Sequence, residues 1–310
     1  MNLLDLAAAY PRRAEGGVPA WMLGHFRRRS ITFADGRSDT HTQVHWLQSR
    51  GFTIDLRLPA MPPVAVRPWQ AYGDEALRVL ANHEGWMADS LWDGQSLGWQ
   101  GGVSLQTHNR WPEPALLQRV GNCMIEFAPS GAYVEDWRLQ STGGPLIGLR
   151  LVEERDTERG ELLHRGGGLI VCGTHAGWVH GRPQALPDSP LGLRERVAQA
   201  LGDGAALAAL FDFETSLALG DARTGYRVEL STVPGRIGQA LVLDGFERLA
   251  DGRLRQSLET PDGQARVRMF EVDTLEPDWQ PVLATPVTTQ ANAWRVAEGE
   301  TLGRHLDVLD

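Results

Sequence analysis

The sequence predicts an all-β fold, two antiparallel β-barrels with a few short helices. Three observations carry this expectation. Period-two alternations of β-branched, aliphatic and aromatic residues recur at roughly the 8–12 residue spacing of all-β proteins. Turn-forming clusters such as Asp35-Gly36, Asp93-Gly94, Pro129-Ser130-Gly131 and Thr142-Gly143-Gly144-Pro145 separate them. Stretches with helical periodicity are few and short. Closing an antiparallel sheet removes its edges, and a barrel of about eight strands can hold one small ligand. A chain of 310 residues has room for two such barrels.

Taken in order, Leu3 to Tyr10 reads as a short helix, followed by a loop through Pro11, Gly16, Gly17 and Pro19. Phe26 to Ala34 alternates and forms a first strand. The clearest patterning lies in His41 to Pro59. Thr42, Val44, Trp46 and Gln48 alternate with His41, Gln43, His45 and Leu47. After Ser49-Arg50-Gly51, the set Phe52, Ile54, Leu56 and Leu58 alternates with Thr53, Asp55 and Arg57. Two such runs around a short glycine-containing turn make a β-hairpin, and Pro59, with no N–H to donate, ends its ladder. If the Asp55–Arg57 face points into the barrel the hairpin is part of a site, and if the Phe52–Leu58 face points in Arg57 lies outside; the apolar pattern favours the second.

Asp74 to Ala81 reads as a short helix. Strands are expected over 84–92, 97–106, 123–128, 131–140, 145–153, 161–172 and 175–182, with 107–120 as a longer loop or short helix over a barrel mouth. Gly166-Gly167-Gly168 lacks the spacing and following helix of a dinucleotide fingerprint, and predicts a bulge or sharp bend in a strand. Leu191, Arg194, Val197, Ala198 and Leu201 form a helical stripe ending at Gly202. Strands resume over 211–219, 224–232, 237–243, 253–260 and 264–273, with further strands near 280–288, 292–297 and 304–309. This pattern divides the chain into an N-terminal barrel over 1–186 and a connector helix with a second, smaller barrel over 187–310.

Composition narrows the chemistry. The net charge of −9 disfavours nucleic acid and anionic membrane surfaces as partners. All 30 basic residues are arginine, which removes lysine Schiff-base chemistry and the P-loop. Cys123 and Cys172 lie in apolar runs and read as buried free thiols. The start, MNLLDLAAAY, lacks the charge pattern of a signal peptide, and no apolar run reaches the length of a membrane span, so the expected location is cytoplasmic.

Eleven tryptophans outnumber the eight phenylalanines and four tyrosines. Nine of them, including Trp46, Trp99, Trp137 and Trp178, fall in the first two thirds of the chain. They line a pocket for an apolar or aromatic ligand or simply pack a core. In Cys123 to Leu139, Tyr133, Glu135, Trp137 and Leu139 share one face, and Glu126 lies on the partnering strand. A buried carboxylate between aromatics requires a partner or a proton. Arg57 is a candidate partner, and a carboxyl with a raised pKa can act as acid or base. On an exposed face, Glu135 would be an ordinary surface charge. His175 and His180, five apart on one strand, face opposite ways. His41 and His45 share a face about 13 Å apart at ~3.3 Å per residue, too far to ligate one ion together. A metal site would have to be assembled from distant segments, and neither a metal nor a cofactor is expected.

Trp46 to Pro59, WLQSRGFTIDLRLP, resembles a WLQ … D-I/L-R-I/L-P signature of lipocalin-like (calycin-type) proteins of bacteria and fungi, including the fungal HRI family. Tyr133-Val134-Glu135-Asp136-Trp137 is similar to a later aromatic-acidic strand of that group. The resemblance implies a pair of lipocalin-like barrels and carries over no catalytic role. It marks Arg57, Glu135 and Trp137 as motif positions.

These readings converge on a protein that binds a small apolar or aromatic molecule. The expected ligand-binding residues are Trp46, Arg57, Trp99, Tyr133, Trp137 and Trp178. One alternative is a cofactor-independent hydrolase, isomerase or lyase using Glu126 or Glu135 with His175 as acid–base pair. Another is an interaction module whose barrels are filled by side chains. A homodimer is compatible with either.

Overall fold

The opening hairpin forms as its alternation predicts and seeds an up-and-down barrel. The structure, a computed structural model, describes residues 1–60, 64–221, 223–260, 263–283, 293–294 and 296–300. Strands β1 (Gly24–Phe33), β2 (Ser38–Asp39), β3 (Gln43–Gln48), β4 (Phe52–Leu58), β5 (Glu84–Trp92), β6 (Ser96–Ser104), β7 (Ala115–Val120), β8 (Cys123–Phe127) and β9 (Tyr133–Leu139) form the first sheet. Its order is β2-β1-β3-β4-β5-β6-β7-β8-β9, and β9 pairs back onto β1, closing an eight-stranded antiparallel barrel with β2 appended. The stretch 107–120, expected to be loop or helix, supplies β7 from its second half; the remainder, with Trp111, lies over the barrel mouth as foreseen.

The second sheet contains β10 (Gly144–Asp156), β11 (Leu162–Arg165), β12 (Gly167–Cys172), β13 (His175–His180), β14 (Glu214–Asp221), β15 (Gly225–Ser231), β16 (Ala240–Leu241), β17 (Phe246–Arg248), β18 (Leu254–Glu259) and β19 (Ala265–Trp279). Their order is β16-β15-β14-β13-β12-β10-β19-β18-β17, with β11 on β10. This sheet curls into a half-barrel, and no pairing closes it among the described residues. The chain crosses between sheets after Leu139, so β10 to β13, placed before residue 186 in the expected N-terminal barrel, belong to the second sheet. Long β10 is claimed by its late partner β19 over eleven registered pairs, a long-range pairing that local pattern does not reveal. Gly166 and Gly167, at φ 72° and 116°, make the expected bend between β11 and β12.

Helices α1 (Leu3–Ala9), α2 (Asp74–Leu80), α3 (Leu193–Gln199) and α4 (Gly204–Phe211) punctuate the strands. In α1, Asn2 caps the N-terminus by accepting from the Leu4 N–H at 3.0 Å, and Leu3, Leu6 and Ala7 form the buried stripe. That stripe joins the core of the second sheet. Asp203 caps α4, a helix not foreseen. Residues 293–294 and 296–300 are helical where a strand was expected near 292–297; the expected strand at 304–309 and most of that at 280–288 lie outside the described residues. Among the described residues no helix is long and apolar enough to cross a membrane.

The core position of the hairpin reverses one expectation. All seven residues of β4 are buried. Phe52, Ile54 and Leu56 pack outward against the second sheet, where Gly177 of β13 makes room: a Cβ there would sit 3.1 Å from Leu47 and 3.3 Å from Ile54. Thr53, Asp55 and Arg57 therefore face into the barrel and line its cavity. Arg150 of β10 ties the sheets together, pairing with Asp273 at 2.7 Å and with Asp89 of β5 at 3.0 Å, while stacking over Phe52.

Candidate functional site

The barrel is not filled. It encloses a cavity of about 370 Å³. One end is sealed by a polar cluster built on the opening hairpin. Trp46 donates its indole N–H to Gln48 Oε1 at 3.0 Å, Thr53 Oγ1 donates to the same oxygen at 2.7 Å, and Trp99 donates to Thr53 Oγ1 at 2.9 Å. Gln48 Nε2 donates to Ser90 Oγ and to the carbonyls of Ser49 and Phe52. Each buried polar atom in this plug has a partner, which is the condition for burying it without penalty.

Above the plug stand the aromatics. Trp46 meets Trp99 and Trp137 edge-on at 5.9 and 5.4 Å, and Trp99 meets Trp86 at 5.6 Å. Trp46, Trp86, Trp99 and Trp137 all line the cavity. Trp111, in the loop over the mouth, packs edge-on against Tyr133 at 5.5 Å and donates to Glu84 at 3.1 Å.

Charged groups ring the upper wall. Glu126 of β8 and Glu135 of β9 are directly opposed in the strand register. Glu126 accepts from Trp137 Nε1 at 3.1 Å and from the Tyr133 hydroxyl at 3.3 Å. Glu135 accepts from Arg28 Nη1 at 2.6 Å, and Arg28 also donates to Asp39 at 3.0 Å. Burial, reinforced by the adjacent Glu135 charge, holds the Glu126 carboxyl well above the usual carboxylate range. Arg57 donates through Nε to Asp55 at 2.8 Å, and its guanidinium lies 4.9 Å from the Trp111 ring centre. Burial works against the Arg57 charge, but Asp55 and then Glu135 outweigh it and raise its pKa. Burial also raises Asp55, against the pull of Arg57. Arg57 Nη1 is buried with no hydrogen-bond partner, 3.9 Å from Glu135.

The structure thus gathers Trp46, Arg57, Trp99, Tyr133, Trp137 and Glu126 at one cavity, with Glu135 in its wall behind Arg28. Arg57, expected outside, is inside, because the second sheet takes the apolar face of its strand. Glu135 is 1% exposed, which rejects the surface-charge reading. His175 and Trp178 are not at this site. His175 lies between the sheets, its ring 4.2 Å from that of His25, so the pairing of a glutamate with His175 is not assembled. Trp178 faces a separate, larger cavity of the second sheet. His175 and His180 point to opposite faces of β13, as their spacing required. Cys123 and Cys172 are buried free thiols, with burial pushing both up to about 12.

Sequence reasoning missed Arg28, Asp55, Glu84, Trp86 and Trp111. Alternation held a signal for Arg28, since in the run Arg27-Arg28-Arg29 the middle residue faces opposite to its neighbours. Trp111 stood in the segment expected over the mouth.

The fold and site define a closed antiparallel barrel with an aromatic, internally charged cavity. The sequence matches no protein-family model and no curated protein. A solved structure similar to the chain is that of an uncharacterized protein from Saccharomyces cerevisiae, 12% identical, with a TM-score of 0.42 over 80% of this chain and 98% of that one. Likeness at that level names no function.

Proposed function

We propose that the protein is a lipocalin-like binder of a small apolar or aromatic molecule bearing one hydrogen-bond acceptor. The observation that carries this reading is the buried, unpartnered Arg57 Nη1 at the wall of an aromatic cavity. An unsatisfied buried donor on a cation is costly, and a ligand acceptor would satisfy it. The indole faces supply apolar contact, and the cavity lies within the size range of small-molecule sites. The charges around it largely cancel in pairs, Asp55 with Arg57 and Glu135 with Arg28, and burial raises the Glu126 pKa toward the neutral form. That balance favours an uncharged ligand over a strongly ionic one.

The test is native mass spectrometry of protein purified from its own host, followed by tryptophan-fluorescence titration with the molecule recovered. The double variant Asp55→Asn/Arg57→Gln removes the ion pair without leaving a lone buried charge, and is expected to weaken binding by about 10–100-fold. A chain that retains no molecule, and whose tryptophan emission answers to no aromatic probe, overturns the reading. A second reading rests on Glu126 itself, a carboxyl lining the cavity whose pKa is raised by burial and which is suited to general-acid chemistry. It requires that Glu126→Gln abolish turnover of the recovered molecule while leaving its binding intact.

A further inference from the structure

The concave face of the second sheet encloses a cavity of about 1050 Å³, separate from the barrel site. At its base three strands converge. Glu154 of β10 and His164 of β11 are direct cross-strand partners, and His180 ends β13. One ligand atom from each of Glu154, His164 and His180 lies within 4.8 Å of the others. The two imidazoles stack with centroids 4.0 Å apart and planes inclined by 9°, so one ring must turn before both in-plane lone pairs meet at a single ion. Both histidines line the cavity.

The surrounding hydrogen bonds prepare these groups as ligands. His164 Nδ1 lies 3.0 Å from the Gly181 carbonyl, which can only accept. In the neutral ring, Nδ1 therefore carries the proton and Nε2 keeps a free lone pair, the orienting arrangement typical of a metal-binding histidine. Glu154 is fully buried and held in place by Arg266, which donates to Oε1 at 2.9 Å, and by Arg268 on Oε2. His180 Nε2 is buried and 2.8 Å from Glu154 Oε2, yet no directed hydrogen bond joins them. Two donor atoms in that relation match neighbouring ligands of one ion, which stand about 3 Å apart when each is ~2.1 Å from the metal.

We propose that Glu154, His164 and His180 form a site for a single divalent first-row transition-metal ion. Two imidazoles and one carboxylate suit Zn²⁺ or Fe²⁺, and three protein ligands leave open positions. Arg266 and Arg268 leave a surplus of positive charge around the ion, so the open positions would take an anionic oxygen ligand entering from the cavity.

The experiment uses the full chain without a histidine tag, stripped with chelator and titrated with Zn²⁺, Co²⁺ and anaerobic Fe²⁺. Metal content is read by elemental analysis and Co²⁺ by its visible absorption. One equivalent of at least one of these ions per chain, with affinity reduced at least tenfold in His164→Ala and His180→Ala, is the expected result. His164 is half-buried, so its alanine variant leaves the core intact, with folding checked by circular dichroism. Should His180→Ala fail to fold, His164→Ala decides alone. The proposal is overturned if the wild type binds none of the three ions stoichiometrically. It is equally overturned if folded His164→Ala binds as tightly as wild type, because the ion would then sit on other histidines.

Discussion

The two opposed glutamates of the barrel differ in what they ask of their surroundings. Glu126 accepts from two neutral donors and burial raises its pKa, whereas Glu135 is ion-paired to Arg28 and stands near Arg57. Glu126→Gln keeps the shape and an acceptor oxygen, so it is expected to change stability at neutral pH by no more than about 1 kcal/mol. Glu135→Gln takes away one of the two carboxylate partners of Arg28, leaving Asp39, and is expected to cost about 1.5–3 kcal/mol. Urea denaturation of the two variants measures the contrast. The pH dependence separates them further. The Glu126 pKa is raised in the fold, so its contribution to stability is complete below the unfolded value near 4.5 and is lost as pH rises through the folded value. Glu126→Gln should therefore flatten the decline of stability as pH rises above about 4.5. The carboxylates and aromatics of this site were legible in the sequence as residue types on shared faces. Their protonation was not, because it depends on which strand lies across from which.

At the scale of elements, β1, β3 and β13 meet through His25, His45 and His175. His25 Nε2 and His45 Nδ1 are 2.9 Å apart, and the His175 ring packs 4.2 Å from that of His25. Burial lowers all three: His25 well below its usual value, with His45, His175 and Arg27 adding to the effect, His45 to about 3 and His175 to about 4. Each is neutral in the fold, and each has a folded pKa below its unfolded value near 6.5. The stability they contribute is present above about pH 6.5 and is lost as pH falls toward the folded values. For His45 alone the loss reaches about 2–3 kcal/mol by pH ~4.5. Thermal unfolding followed between pH 7.5 and 4.5 should show this decline, and a His45→Gln variant should show less of it. Spacing along the chain kept His41 and His45 apart and set His175 and His180 on opposite faces. It had no means of showing that β13 would lie against the barrel.

At the scale of the whole molecule, the two sheets touch where side chains are small. Gly85 of β5 faces Thr215 of β14, and a Cβ at Gly85 would stand 2.4 Å from Thr215 Oγ1 and 2.6 Å from its Cβ. Gly85→Ala must push the sheets apart or distort one of them, at an expected cost of about 1–3 kcal/mol in chemical denaturation. The pair Gly85→Ala/Thr215→Ala should recover part of that loss.

The sequence by itself determined the all-β class, most strand positions, the hairpin of β3 and β4, the bend at Gly166-Gly167 and the partition of residues into strand faces. Those follow from period-two alternation and turn chemistry, which act over a few residues. Which face turned inward was decided only by the tertiary structure. On β4 both faces are buried, so hydrophobicity alone pointed the apolar one at the barrel interior. The second sheet packs against that face, and Asp55 and Arg57, paired with each other, took the interior instead. The same long-range pairing of β10 with β19 moved β10 to β13 out of the first barrel, carrying His175 and Trp178 away from the aromatic cavity.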